Sequence, residues 1–200
     1  MTLRALALNC TLTSSPAESS TELMCRRILD ALAEHDVEGS LIRVVDHDVK
    51  PGVTSDEGNG DEWPAIRTQI LASQILVVGT PIWLGSPSSV CRGVLERLDA
   101  FLGEEDDKGR MVSYDRVAVV ATVGNEDGAH HVAAELYQAL SDVGFTIPPS
   151  GQVYWVGEAM GSVDYKDLDP QPDNVASTVS DVARNAAHLA RTLQAAPYPA

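Results

Sequence analysis

Positive charge is what this sequence has least of: 14 Lys and Arg stand against 29 Asp and Glu, for a formal net charge of −15 over 200 residues. A chain this acidic repels phosphodiester backbones and anionic headgroups, which argues against nucleic acid and membrane surfaces as partners. A small anion held by backbone dipoles stays admissible, because such binding needs no net positive charge. Cysteine is scarce too. Cys10, Cys25 and Cys91 are odd in number and far apart, so they make neither a disulfide framework nor a metal-type pair. Long apolar runs are absent: residues 3–8 carry Arg4 and are too short for the apolar core of a signal peptide, and no run approaches spanning length. The expectation is a soluble cytoplasmic protein with reduced thiols. Three chemical signatures are missing as well. There is no Gly-Lys-Ser/Thr of a Walker loop, no G-x-G-x-x-G of a dinucleotide fingerprint and no G-x-S-x-G of a serine-hydrolase elbow.

What is present is an ordinary globular share of apolar residues, 44%, on a chain whose length suits one domain over residues 1–200. Short β-type runs alternate with longer helical patterns. Strands are expected at residues 3–8, 41–45, 74–79, 116–122 and 145–155, the last interrupted by Pro148 and Pro149. Helices are expected from Ser19 to about His35, over 63–73 with Pro64 in the first turn, from Val90 to Phe101, from Gly128 to Gly144, and along Val175, Val179, Val182, Ala186 and Leu193. Ser19 with Glu22 three residues on makes a capping box at the first helix start. Residues 46–62 and 157–172 read as acidic loops. Right-handed crossovers turn such an alternation into an α/β fold, a doubly wound five-stranded parallel sheet in the order 2-1-3-4-5. Ligands in that topology sit at the carboxyl ends of strands 1, 3 and 4, so three loops matter most.

The first, residues 9–20 and the helix start after it, puts seven hydroxyls in a short stretch: Thr11, Thr13, Ser14, Ser15, Ser19, Ser20 and Thr21. No Lys or Arg lies between Asn9 and Cys25. A phosphate there would be held by hydroxyls, free amides and the helix N-terminus; the plain alternative is that Ser and Thr make turns and a cap. The second, Gly79-Thr80-Pro81-Ile82-Trp83-Leu84-Gly85-Ser86-Pro87, sets large apolar groups where a central strand ends. Exposing them forgoes burial worth about 1.5–3 kcal/mol per side chain, so a flat aromatic ligand or a protein partner should cover them. The third, residues 122–128, carries Gly124 and Gly128, which let backbone approach a ligand edge. His130 and His131 follow it; helical neighbours point about 100° apart and do not chelate, so no metal site is expected.

Together the hydroxyl-rich loop, the Thr-Pro-Ile-Trp-Leu-Gly loop and the Gly-containing loop resemble the flavodoxin-like NADPH-dependent FMN reductase family over about residues 3–155. The resemblance implies a flavodoxin-like fold with FMN as cofactor and NADPH or NADH as co-substrate. It places the FMN phosphate on Thr11, Thr13, Ser19, Ser20 and Thr21. The isoalloxazine falls along Pro81, Ile82, Trp83, Leu84 and Gly85, with Val123, Gly124 and Asn125 at its other edge. The chain departs from many members in having no Arg inside the first loop, and its three cysteines cannot hold an iron–sulfur cluster. The implied activity passes hydride from a nicotinamide through FMN to a small electron acceptor, a quinone, flavin or aromatic, with no catalytic side chain of its own. The implied assembly is a homodimer or homotetramer. A flavodoxin-type one-electron carrier and an FMN-free interaction domain are the alternatives.

Overall fold

A computed structural model describes residues 2–199. Five parallel strands, β1 (Leu3–Asn9), β2 (Val37–Arg43), β3 (Ile75–Trp83), β5 (Val117–Gly124) and β6 (Gln152–Val156), form one sheet in the order β2-β1-β3-β5-β6. A two-residue strand, β4 (Ser86–Pro87), folds back antiparallel on the end of β3. Leaving that short return aside, the order is the expected 2-1-3-4-5.

The central strands are apolar throughout because both faces are covered. In β1, Ala5 and Ala7 face one core while Leu6 and Leu8 face the other. The first core is closed by α1 (Ser20–Ala33), through Met24, Cys25, Ile28 and Leu32, and by α5 (Asp173–Ala195), through Val175, Val179, Val182 and Leu193. The second is closed by α2 (Trp63–Leu71), α3 (Ser89–Leu98) and α4 (Ala129–Asp142). Register fixes where the loops emerge: Asn9 lies opposite Gly79, and Gly79 opposite Ala121. Three loops therefore leave the sheet at one level.

Several boundaries differ from expectation. β2 begins at Val37, four residues early, because its first half is solvent-facing at the sheet edge and lacks the apolar signal. β3 runs on through Trp83, so half of the expected second loop is strand. The expected long fifth strand reduces to Gln152–Val156, with Thr146 making one bridge to Val117 before the prolines. The acidic stretch 46–62 is a loop, but it is pinned from inside. Arg97, buried on α3, donates to the Thr54 carbonyl (3.0 Å) and the Lys50 carbonyl (2.8 Å), and pairs with Asp61 at 2.7 Å. Burial pushes the Asp61 carboxyl up. Hydrogen bonds from the Glu57, Trp63 and Lys50 amides and from Arg97 outweigh it and bring the group to about 2.

Candidate functional site

Helix α1 starts where Ser19 caps it: the Ser19 hydroxyl accepts from the Glu22 amide (3.2 Å) and its carbonyl from the Leu23 amide (3.0 Å). The N–H groups of Ser20 and Thr21 remain open to a ligand, since a first helical turn has no intrahelical acceptors for them. The expected reciprocal half of the capping box is not made. The Glu22 carboxylate turns instead to Arg43 at the end of β2 (2.5 Å) and to Arg26 (2.7 Å). Burial raises the Glu22 carboxyl, but the bonds from both guanidiniums prevail and hold it below the usual range.

Arg43 is a site residue that the sequence alone does not announce. Its side chain is 7% exposed and lies beneath the first loop, where Nη1 donates to the carbonyls of Thr13 (3.2 Å) and Ala17 (2.8 Å). The signal that could have found it is the register: Arg43 sits opposite Asn9, where that loop begins. Asp46 braces the loop from outside, accepting from the Ser15 amide (2.8 Å) and hydroxyl (2.6 Å), and these bonds lower its carboxyl. Asn9, fully buried, accepts from the Thr11 amide (3.1 Å).

The five residues expected at a phosphate come together here in different roles. Thr13 is exposed and Thr11 nearly buried. Ser19 is committed to the cap, and Ser20 Oγ accepts from the Lys166 amide (3.1 Å). Thr21 is buried; its methyl group would lie 3.1 Å from a Cβ at Gly79 and Cys25 Sγ 2.3 Å from it, so only glycine lets α1 sit this close to β3.

The second loop is a hairpin lip. Ile82 turns into the core, whereas Trp83 is 56% exposed and Leu84, at φ +51°, is 95% exposed. Gly85 at the turn donates its N–H to Glu126 of the third loop (3.0 Å). Gly128, at φ +130°, lies so near that a Cβ there would stand 2.7 Å from Gly85 Cα. Both glycines of the third loop also lie close against protein. Gly128 packs against Gly85, and Gly124 packs against Ile82, whose own Cβ would lie 2.9 Å from a Cβ added at Gly124. Val123 is buried beneath, beside Pro81 in register. Asn125 Nδ2 donates to the Gly161 carbonyl (3.3 Å) and Asp164 (3.2 Å), tying the loop after β6 to the third loop, while its Oδ1 is buried without a partner. Ser88 joins the first two loops, donating to the Cys10 carbonyl (2.6 Å) and, through its amide, to Thr80 Oγ1 (3.0 Å).

Among the described residues nothing here is a poised nucleophile or base. The three cysteines are buried and unpaired. A hydrogen bond with Cys91 and burial push the Cys10 thiol well up, and burial takes Cys25 to about 12. His131 pairs with Glu135 (3.0 Å) and His130 meets Tyr154 edge-on.

The chain is 37% identical to the divalent metal cation transporter MntH of Mycobacterium bovis over 96% of its own length but only 29% of that protein's. Among the described residues no helix is long and apolar enough to cross a membrane. It is 33% identical to the 8-demethyl-8-aminoriboflavin-5′-phosphate synthase of Streptomyces davaonensis, over 99% of this chain and 81% of that one. The crystal structure of RosB with bound 8-demethyl-8-formylriboflavin-5′-phosphate superposes with a TM-score of 0.88 at 32% identity, covering 98% of this chain and 82% of that one. The model of the NADPH-dependent FMN reductases matches residues 4–159, a span that holds all three loops, and the chain belongs to that family.

Proposed function

We propose that the protein binds FMN and uses it as an NAD(P)H-dependent oxidoreductase acting on a small acceptor, a quinone, flavin or aromatic. The observation that carries this reading is the juxtaposition, at one end of the sheet, of a helix start with open amides and an exposed Trp83–Leu84 lip. One suits a phosphate held by neutral donors, the other a flat apolar ring. When bound there, FMN would supply the two-electron redox chemistry between a reduced nicotinamide and the acceptor.

The chain's own part is to hold and orient. Thr11, Thr13, Ser19, Ser20 and Thr21 with the open amides receive the phosphate, and Arg43 fixes the loop that presents them. Pro81, Trp83, Leu84 and Gly85 lie along the ring, with Ile82 and Val123 supporting from the core, and Gly124 and Asn125 close the far edge. No side chain is needed as acid or base. The same reading includes a cytoplasmic location and a homodimer or homotetramer that covers the exposed lip.

Anaerobic titration of the purified yellow protein with NADH and NADPH tests this: the flavin absorbance should bleach and return on adding a quinone. Thr13→Glu, at an exposed position, should strip the flavin while leaving the far-ultraviolet spectrum intact. A second reading is favoured by the likeness to a synthase that acts on a flavin phosphate: FMN is then the substrate, altered on its ring. Mass spectrometry of flavin released after turnover separates the two, an unchanged mass supporting the oxidoreductase.

A further inference from the structure

Past residue 159, outside the span shared with the reductase family, the chain runs as a strap from the third loop to the start of α1. At the near end Asn125 Nδ2 donates to the Gly161 carbonyl (3.3 Å) and to Asp164 (3.2 Å). At the far end Arg27 of α1 donates to Tyr165 Oη (2.6 Å) and Gln171 Oε1 (2.9 Å), and the Tyr165 ring is buried. Between these anchors one 3₁₀ turn, Tyr165–Asp167, sets the Lys166 amide on Ser20 Oγ (3.1 Å), in the first turn of α1. Lys166 is the one cation in residues 157–173, against five acids.

The backbone of Lys166 is thus tied to a residue expected at the phosphate, while its ammonium keeps donors to spare. Asp167 takes one of them at 3.0 Å, and its other oxygen accepts from the Asp164 amide (3.0 Å), so this carboxylate holds the lysine in place. Glu18 stands 3.8 Å away, beyond hydrogen-bond reach, and is 85% exposed, so it gives way easily to a stronger anion. Lys166 lines a cavity of about 380 Å³ together with Ser19, Arg26 and Arg43. The two arginines are committed elsewhere. Arg43 holds Glu22 and the Thr13 and Ala17 carbonyls, and Arg26 holds Glu22 further along α1.

We infer that Lys166 is a binding residue for the phosphate of FMN, its ammonium supplying from the strap the cation that the first loop lacks. This rests on the FMN-binding reading above, and it is the same whether FMN is cofactor or substrate. A phosphate monoester carries roughly −1.5 to −2 charges at neutral pH. Hydroxyls and open amides match its oxygens but leave most of that charge uncompensated, in a chain of net charge −15. A lysine suits the place because its flexible stem lets the ammonium turn from Glu18 to the phosphate while the backbone stays on Ser20.

The test titrates the full-length protein, freed of flavin, with FMN and with riboflavin, which lacks only the phosphate, and follows flavin fluorescence. The parent protein should bind FMN more tightly than riboflavin. Lys166→Met, which keeps most of the stem, should weaken FMN by about tenfold or more, the loss of one charge-assisted bond, and leave riboflavin within about twofold. Lys166→Arg should hold FMN within about threefold of the parent. Added salt should narrow the gap between the parent and the Lys166→Met protein. Unchanged FMN affinity in Lys166→Met overturns the inference. So does an equal loss for both flavins, which makes Lys166 a support of the strap only, and so does a parent that binds riboflavin as tightly as FMN. A parent protein that binds neither flavin removes the FMN reading, and the inference with it.

Discussion

The first loop and the Trp83 lip leave the sheet at the same level, yet they are held by different means. Charged side chains from other elements hold the loop: Arg43 from beneath, Asp46 from outside, Glu22 between. The lip is held by near-contact of two glycines and one carboxylate on a backbone amide. Ionic bracing tolerates most changes in the loop's own sequence, because its anchors, the Ser15 hydroxyl apart, are backbone groups. Glycine contact tolerates none at the contact point, but leaves the neighbouring side chains Trp83 and Leu84 free to face a ligand. The loop's identity is thus set elsewhere in the chain, and the lip's identity is set locally.

Replacing the brace should show the largest effect. Arg43→Met leaves Glu22 to Arg26 alone and releases the Thr13 and Ala17 carbonyls, which should cost about 3 kcal/mol in chemical denaturation. A loss under about 1 kcal/mol would mean that the loop does not depend on its ionic anchor. Gly128→Ala tests the other half. A left-handed φ and a 2.7 Å Cβ approach to Gly85 predict a loss of about 2 kcal/mol and a displaced lip. If a crystal structure of that variant keeps the Gly85–Glu126 bond, the glycine contact is not what sets the lip.

Trp83→Ala should barely move stability, by about 0.5 kcal/mol or less, since the side chain is more than half exposed. Flavin affinity should drop by about tenfold, the value of one aromatic contact. The smallest effect is acid sensitivity of the loop. Bonds from Ser15 lower the Asp46 carboxyl in the folded state, so their contribution is complete above the ordinary Asp value of about 3.9 and fades as pH falls through the lowered one. The protection factor of the Ser15 amide, followed by NMR, should fall over that acid range in the parent protein and be low at all pH values in Asp46→Ala.

The same contrast explains what is legible in the sequence. Strand order and both cores follow from apolar runs and helical stripes, because those patterns are local and periodic. The lip is legible because Trp83, Leu84 and Gly85 are contiguous. Arg43 and Asp46 are not, since they reach the loop only through the pairing of β1 with β2, and the apolar signal of β2 covers only its second half. Glu126 and Gly128 stand out within a short loop, but their partner, Gly85, is known only once the third loop meets the second. Arg97 and Asp61 escape for a related reason: a charged residue on an amphipathic helix and an acid in an acidic run both read as solvated, and only the fold brings them together away from water.

Gly79 carries a consequence for how this sequence can change over time. Its missing side chain is the space into which Cys25 Sγ and the Thr21 methyl fit. Any larger residue at 79 becomes admissible only alongside a smaller one at 25, so the two positions should vary together among relatives rather than drift singly. That coupling ties the start of α1, where a phosphate would sit, to the central strand of the core.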